Sequence, residues 1–290
     1  MRRGWTGYLF IAPWLIGFVL FAFGPFLVSI FLSFTRYNIV TSPEWVGLAN
    51  YETLFFHDPL FWKSLWITVK YALVAVPLGI VTGVCLALLL NLQVRGIAIY
   101  RTLFFLPSIV PIVATSVVFV WILNPQIGLV NGILKSFGIL GPNWLGSQEW
   151  AFPSLVLMSL WSVGGSMIIY LAGLKDIPAS LYEAAMIDGA GPLHRMLHIT
   201  LPMLTPVIFF NLVMGVIHAF QFFTQPYVIM NGTGGPNDST LFYAIHLFNV
   251  AWRYLDMGYA SAMAWILFVV IMAITLFIFK SHSRWVHYGG

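Results

Sequence analysis

Six apolar runs, each about the ~20 residues a helix needs to cross a bilayer, dominate this 290-residue sequence. They are Tyr8–Phe34, Trp66–Leu92, Leu103–Leu123, Phe152–Leu174, Met203–Thr224 and Gly258–Phe279, and none carries an Asp, Glu, Lys or Arg in its middle. A backbone in hydrocarbon must satisfy its own N–H and C=O groups, and continuous rather than alternating apolar runs do so as helices. Charged residues are 8% of the chain, against about 25% in soluble domains. The expectation is an all-α polytopic membrane protein with six transmembrane helices, residues 1–290 forming a single domain. The first run follows Arg2 and Arg3 as a signal sequence would, but it is too long for a cleavable apolar core and reads as a retained anchor.

An even number of spans puts both termini on one side, and basic residues choose it. The termini and the segments after spans two and four hold Arg2, Arg3, Arg95, Arg101, Lys175, Arg195, Lys280 and Arg284, against Asp176, Glu183 and Asp188. The other side holds Arg36, Lys63, Lys70, Lys135 and Arg253, against six acids. The positive-inside rule makes the N- and C-termini cytoplasmic, together with the loop of about 175–202. Trp5, Tyr8, Trp14, Tyr37 and Trp45 flank span one as interfacial anchors.

The same sequence excludes several activities. Ion-coupled transporters usually carry ionisable relays in midspan, and these spans have none. A phosphate-cradling Gly-x-x-x-x-Gly-Lys-Ser/Thr loop is absent, since no lysine follows a glycine. Uphill transport by this chain therefore needs energy from another chain; a gradient-driven transporter or channel is the rival that needs none. No paired carboxylates or nucleophile–base pair sits in the spans, so no catalytic residue, cofactor or metal is expected. His194 and His198 are four apart, but no third ligand of the protease type accompanies them. The basic residues are unclustered, so the net charge of +4 marks membrane orientation and not nucleic acid. The lone Cys85 lies within a span and is expected to be buried and inert.

The longest polar interruption with a helical pattern of its own is the loop after span four. Pro178 suits a first helical position, good helix formers follow to Asp188, and Gly189-Ala190-Gly191-Pro192 breaks the helix before a second short one from Leu193 to about Ile199. Its Glu183-Ala184-Ala185, Gly189, Ile199 and Leu201-Pro202 resemble the coupling loop of the permease subunits of binding-protein-dependent ABC importers. Trp45-Val46-Gly47-Leu48-Ala49-Asn50-Tyr51, the outer loop Gly234 to Thr240 and Met257-Gly258-Tyr259-Ala260-Ser261-Ala262 resemble the carbohydrate branch (maltose, multiple-sugar and glycerol-phosphate types). The resemblance implies a type I importer permease fold, with Glu183, Ala184, Ala185, Asp188 and Gly189 docking on an ATPase. It also implies a second homologous permease subunit, two ATP-binding subunits, an extracytoplasmic solute-binding protein, membrane lipid around the spans and a sugar substrate. Permeases for glycerol phosphate, peptides or amino acids share the loop and are the nearest alternative.

Candidates for the substrate path come from polar residues in the spans. Asn211, His218, Gln221 and Gln225 fall within roughly 80° of arc on one helix face at about 100° per residue. That stripe suits either a pore lining that hydrogen-bonds a polyhydroxylated solute or bonds between helices. By the resemblance, Gln221 matches a sugar-contacting position of the maltose-type permeases, with an amide of different length. Trp161 and Ser162 fall near the family's other sugar-contacting segment. Ser159, Ser162, Ser166 and Tyr170 form a second stripe, whose small residues favour close helix packing.

Overall fold

The computed structural model describes residues 4–92 and 94–287, without the side chains of residues 4–7 and 9. Arg2, Arg3 and the side chain of Trp5 lie outside the described residues. In chain order, α1 (Gly4–Phe18) and α2 (Gly24–Ser33) are joined by a π-helical turn, Val19–Phe23. A short antiparallel ladder follows, β1 (Thr35–Arg36) on β2 (Glu44–Trp45), pairing Thr35 with Trp45 and Arg36 with Glu44. Next come α3 (Ala49–Glu52) and α4 (Pro59–Leu90), then α5 (Ile97–Phe105), α6 (Ile112–Ile122) and α7 (Leu129–Ser136). Then α8 (Gln148–Ser159), α9 (Gly164–Lys175), α10 (Ala179–Ile187), α11 (Pro192–Arg195) and α12 (Leu201–Phe220) follow. The last helices are α13 (Thr224–Ile229), α14 (Tyr243–Phe248) and α15 (Met257–Ser281).

The membrane architecture holds, with differences that each have a local cause. Among the described residues four helical runs are long and apolar enough to cross a bilayer, or up to six if two bent pairs each count as one span. The third span bends by 99° between Ile109 and Ile112. There Pro111 excludes helical backbone from the residue before it, and Val110 is extended at φ −69°, ψ 132°. The fourth bends by 49° around Val163. A Cβ at Gly164 would lie 2.2 Å from the Phe104 carbonyl oxygen, so this bend needs glycine for the backbones to meet.

Span two starts at Pro59, well before Trp66. Asp58 caps it, its Oδ1 accepting from Leu60 N at 2.8 Å and Phe61 N at 3.3 Å. The second short helix expected after the loop is not separate: α11 runs through the π turn Met196–Thr200 straight into α12. Leu201 N–H there reaches back to Met196 O, and the wider turn accommodates Pro202, whose missing N–H would interrupt an α ladder. Helix α12 then stops at Phe220. A non-helical step at residues 221–223 separates it from α13, so Gln225 stands on a different helix from Asn211 and His218, while Gln221 follows directly on the last turn of α12, its N–H bonded to Ile217 O at 3.2 Å.

The described residues fall into two compact units, 1–62 with 246–270 and 63–245 with 271–290. In the first, the Trp45-to-Tyr51 motif clamps the end of α2. Trp45 stacks on Phe34 with centroids 5.6 Å apart; Asn50 Nδ2 donates to the Ser33 and Thr35 carbonyls, both at 2.9 Å; Tyr51 donates to Ser33 Oγ at 2.8 Å. Gly258 closes the same strap. Its N–H donates to Tyr37 O at 3.1 Å, and a Cβ there would lie 2.0 Å from Thr35 O.

In the second unit the core joins Val84 and Ala87 of α4, Met167, Leu171 and Leu174 of α9, and Leu204 of α12. Close helix approach uses small residues: a Cβ on Gly173 would meet Val207 Cγ2 at 2.7 Å, and one on Gly215 would meet Val76 at 3.0 Å. Much of each span's outer surface is exposed apolar side chain, as at Phe10, Phe21 and Phe277, which suits lipid and not water. Cys85 is exposed on α4, contrary to the expected burial. Apolarity alone does not separate lipid-facing from buried positions in a span.

Candidate functional site

The loop between spans four and five is anchored by buried Ile177 and projects α10 into solvent. Glu183, Ala184, Asp188 and Gly189 are exposed and Ala185 is half-buried. Pro178 is the residue before α10, at φ −60°, ψ 130°, one position earlier than expected. The helix ends in a Schellman motif: Gly189 N–H donates to Met186 O at 3.1 Å and Ala190 N–H to Ala185 O at 2.8 Å. Gly189 takes φ +78°, the left-handed conformation that glycine adopts without a Cβ penalty. Tyr182 OH and Thr200 Oγ1 lie 2.9 Å apart, tying α10 to the π turn that leads into α12. On the free surface Met186 is 52% exposed and Ile187 87% exposed. The rings of His194 and His198 stack with centroids 4.0 Å apart. No group of three or more potential ligands could hold a metal among the described residues.

In the middle of the spans lies a cavity of about 640 Å³. Its walls are the Tyr71–Ile80 stretch of α4, the bend between α8 and α9, one face of α12, and Phe222 with Gln225 beyond α12. Four of the six sequence candidates line it: Ser162, Asn211, His218 and Gln225. Gln221 sits exposed at the end of α12, outside the lining. Trp161 faces a separate depression, its ring edge-on to Phe119 at 5.7 Å. The second stripe joins the cavity as well, since Ser159, Ser166 and Tyr170 line it with Ser162.

This lining holds no Asp, Glu, Lys or Arg among the described residues and is rich in polar groups. Ser159, Ser162 and Ser166 donate back to the carbonyls of Val156, Ser159 and Val163 at 2.6, 3.3 and 2.9 Å, and the Ser159 hydroxyl also bonds the Tyr71 side chain. Asn211 Nδ2 likewise donates to Val207 O at 2.9 Å, which leaves its second N–H and its carbonyl oxygen available. The Tyr170 hydroxyl is buried without a hydrogen-bond partner. Its ring packs where a Cβ on Gly83 would come within 2.8 Å, so glycine makes room for the ring.

Sequence reasoning missed the aromatic end of the cavity. Tyr71 stacks on Phe222 at 4.4 Å and 9° and meets Phe242 edge-on at 5.2 Å. Flat rings of this kind complement the apolar faces of pyranose rings. A lone tyrosine in an apolar run reads as packing, and nothing in the sequence pairs Tyr71 with Phe222.

Loops between the spans supply bracing. Lys63 Nζ bonds Asp238 Oδ2 at 3.1 Å and Asn237 O at 2.9 Å, holding the turn in which Gly235 takes φ +69°. In the other unit, Asp58 Oδ2 accepts from Tyr259 OH at 2.7 Å and lies 2.8 Å from His246 Nε2. Burial pushes the Asp58 carboxyl up, but the hydrogen bonds from Tyr259 and His246, the His246 charge and the Leu60 amide together hold it below the usual carboxylate range.

Comparison with known proteins agrees over the whole length. The profile of the family described as binding-protein-dependent transport system inner membrane component matches residues 75–288. Over 285 residues the chain is 48% identical to the probable ABC transporter permease protein YesP of Bacillus subtilis, covering 98% of this chain and 92% of that protein. It is 35% identical to SmoG, the sulfoquinovosyl glycerol transport system permease protein of Agrobacterium fabrum, covering 93% and 91%. It is 34% identical to MalF, the trehalose/maltose transport system permease protein of Thermococcus litoralis, covering 96% and 94%. Its fold matches a chain in the crystal structure of a bacterial alginate ABC transporter in complex with alginate pentasaccharide-bound periplasmic protein. That match has TM-score 0.83 at 24% identity, over 98% of this chain and 96% of that one.

Proposed function

The chain belongs to the family of binding-protein-dependent transport system inner membrane components, and on that premise we propose that it forms half of the translocation path of an ATP-driven carbohydrate importer. Membership makes it a multi-pass inner-membrane permease subunit and not an enzyme. The proposal extends this to residues 1–290 as one permease domain, with both termini and the loop of 175–202 on the cytoplasmic side. A second homologous permease completes the path across a pseudo-twofold axis. Two ATP-binding subunits dock below, and a solute-binding protein delivers sugar from outside.

One observation carries the reading. Helix α10, nine residues long, is terminated by its own Schellman turn and presents Glu183 beside the exposed apolar Met186 and Ile187. An exposed apolar pair flanked by Glu183 and Asp188, outside the apolar spans, fits a cleft of another protein. Glu183, Ala184, Ala185, Asp188 and Gly189 form that contact. Closure of the ATPases on ATP moves α10, and the spans beside the cavity reorient from inward to outward access.

The cavity supports a sugar. Its walls include no Asp, Glu, Lys or Arg among the described residues, while Ser162, Asn211, His218 and Gln225 offer hydrogen bonds and Tyr71 with Phe222 offers flat apolar faces. Gln221, at the exposed end of α12, and Trp161, beside Ser162, complete the proposed path. The test is reconstitution with the candidate ATPase, second permease and binding protein in liposomes. Glu183→Ala should lower ATP-dependent sugar uptake about tenfold or more, as loss of a buried interfacial charge pair does, while the ATPase still hydrolyses ATP. Uptake unchanged by Glu183→Ala, or flux through this chain alone without ATP, refutes the proposal.

A further inference from the structure

A second, smaller cavity of about 300 Å³ lies where α4 ends, between α10 and the start of α11. Leu88, Leu92 and Met196 make its apolar walls; Asn91, Tyr182 and Arg195 make its polar side. Arg195 is the unusual member. Its Nε is buried without a hydrogen-bond partner, and its guanidinium enters neither of the two ion pairs found among the described residues. A buried guanidinium donor with no acceptor is strongly unfavourable. A second cation stands at the same helix end: Arg101 donates from Nε at 3.2 Å and Nη2 at 2.8 Å to Leu90 O, between Leu88 and Leu92 in sequence. The acids of the neighbouring loop, Glu183 and Asp188, are not paired with Arg195.

We propose that this cavity binds the phosphate of an anionic phospholipid headgroup, held by Arg195 with help from Asn91 and Tyr182. The planar guanidinium matches a phosphate in a bidentate pair. The position is where headgroups lie, at the last turn of a membrane-spanning helix, with Leu89 in that turn and Leu92 just past it both exposed. Basic pockets at that depth are suited to anionic lipid. The inference goes beyond the transport reading and does not depend on which solute is carried.

The experiment is native mass spectrometry of the full-length chain with its co-purifying subunits, taken from nanodiscs of phosphatidylglycerol or phosphatidylcholine. A parallel arm adds millimolar inorganic phosphate in detergent without lipid. Wild type should retain phosphatidylglycerol about tenfold more than Arg195→Gln, the loss expected for one charge-assisted contact, with Arg195→Lys between them. Equal retention by wild type and Arg195→Gln overturns the proposal. If Arg195→Gln does not fold, equal retention of the two lipids by wild type overturns it as well. Thermal protection by inorganic phosphate equal to that by phosphatidylglycerol overturns the lipid source in favour of a free anion. If Arg195→Gln loses the ATP-binding subunit while its lipid is unchanged, a partner's carboxylate fills the cavity and the proposal fails.

Discussion

Removing the Asp58 carboxylate tests whether the polar bracing outside the spans holds the fold there. Asp58 accepts from Leu60 N and Phe61 N at the start of α4 and from Tyr259 OH, and it sits 2.8 Å from His246 Nε2. Its side chain is 14% exposed and that of His246 7% exposed, so neither is well solvated. Asp58→Ala removes a helix cap worth about 1 kcal/mol and strands buried donors at about 1–3 kcal/mol each. These losses overlap, and a total of about 3 kcal/mol is expected. Asp58→Asn keeps the shape and one acceptor oxygen, and about 1–2 kcal/mol is expected from the lost charge. The assay is reversible SDS unfolding in mixed micelles, with a double-mutant cycle of Asp58→Ala against Tyr259→Phe. The sign of the pH dependence follows from the lowered carboxyl. A depressed folded-state pKa gives stabilisation that is fully present above the unfolded value of about 3.9 and is lost as pH falls through the folded value. Wild type should therefore lose stability below about pH 4, and Asp58→Asn should lack that part of the acid limb. An Asp58→Ala stability within about 0.5 kcal/mol of wild type, the ordinary scatter of surface substitutions, or identical acid limbs in wild type and Asp58→Asn, would refute the reasoning.

Two further outcomes separate the loop from the cavity. Gly189→Val places a β-branched residue at φ +78°, at a cost of about 1–2 kcal/mol; co-purification of the ATP-binding subunit should fall, while Gly189→Asn, which tolerates that conformation, keeps it. Asn211→Leu and Gln225→Leu should each raise the half-saturating sugar concentration about tenfold with basal ATP hydrolysis unchanged, and Trp161→Ala, outside the cavity, should shift it less.

The broad architecture was legible because membrane insertion leaves few solutions. Long apolar runs without central charge admit little but helices, and the Glu183-to-Pro202 spacing carried the family. What escaped was decided by single residues acting on the backbone. Asp58-Pro59 is a cap followed by a first-turn proline, and it starts α4 seven residues before Trp66, where the apolar run begins. Span five is interrupted at residues 221–223, so the periodicity of Asn211, His218, Gln221 and Gln225 described one helix where there are two, α12 ending at Phe220 and α13 starting at Thr224. Three members of that stripe still reach one cavity, and Gln221 stays outside its lining. The serine stripe of span four was legible as a face, but not as a cavity wall. Helical spacing tells which residues share a side, and only the 49° bend at Val163 opens space in front of them.

The continuity of α11, the π turn and α12 gives a physical reason for expecting loop and cavity to act together. From Pro192 to Asn211 the chain is helical throughout, and at 1.5 Å per residue that is about 28 Å of stiff rod. Tyr182 is fastened to this rod at Thr200, so a force on α10 is applied to α12 near one end while Asn211 and His218 line the cavity farther along it. The Gly173–Val207 and Gly215–Val76 contacts bring neighbouring helices close enough to act as pivots and too close to permit independent sliding. The π turn is the place where such a rod can change its winding without losing its ladder, and the fastening at Thr200 is its last residue, directly before α12. A two-state reorientation of α12 would then carry its polar face as one body. For that reason the Glu183→Ala outcome is expected to divide hydrolysis from uptake and not to weaken both in proportion.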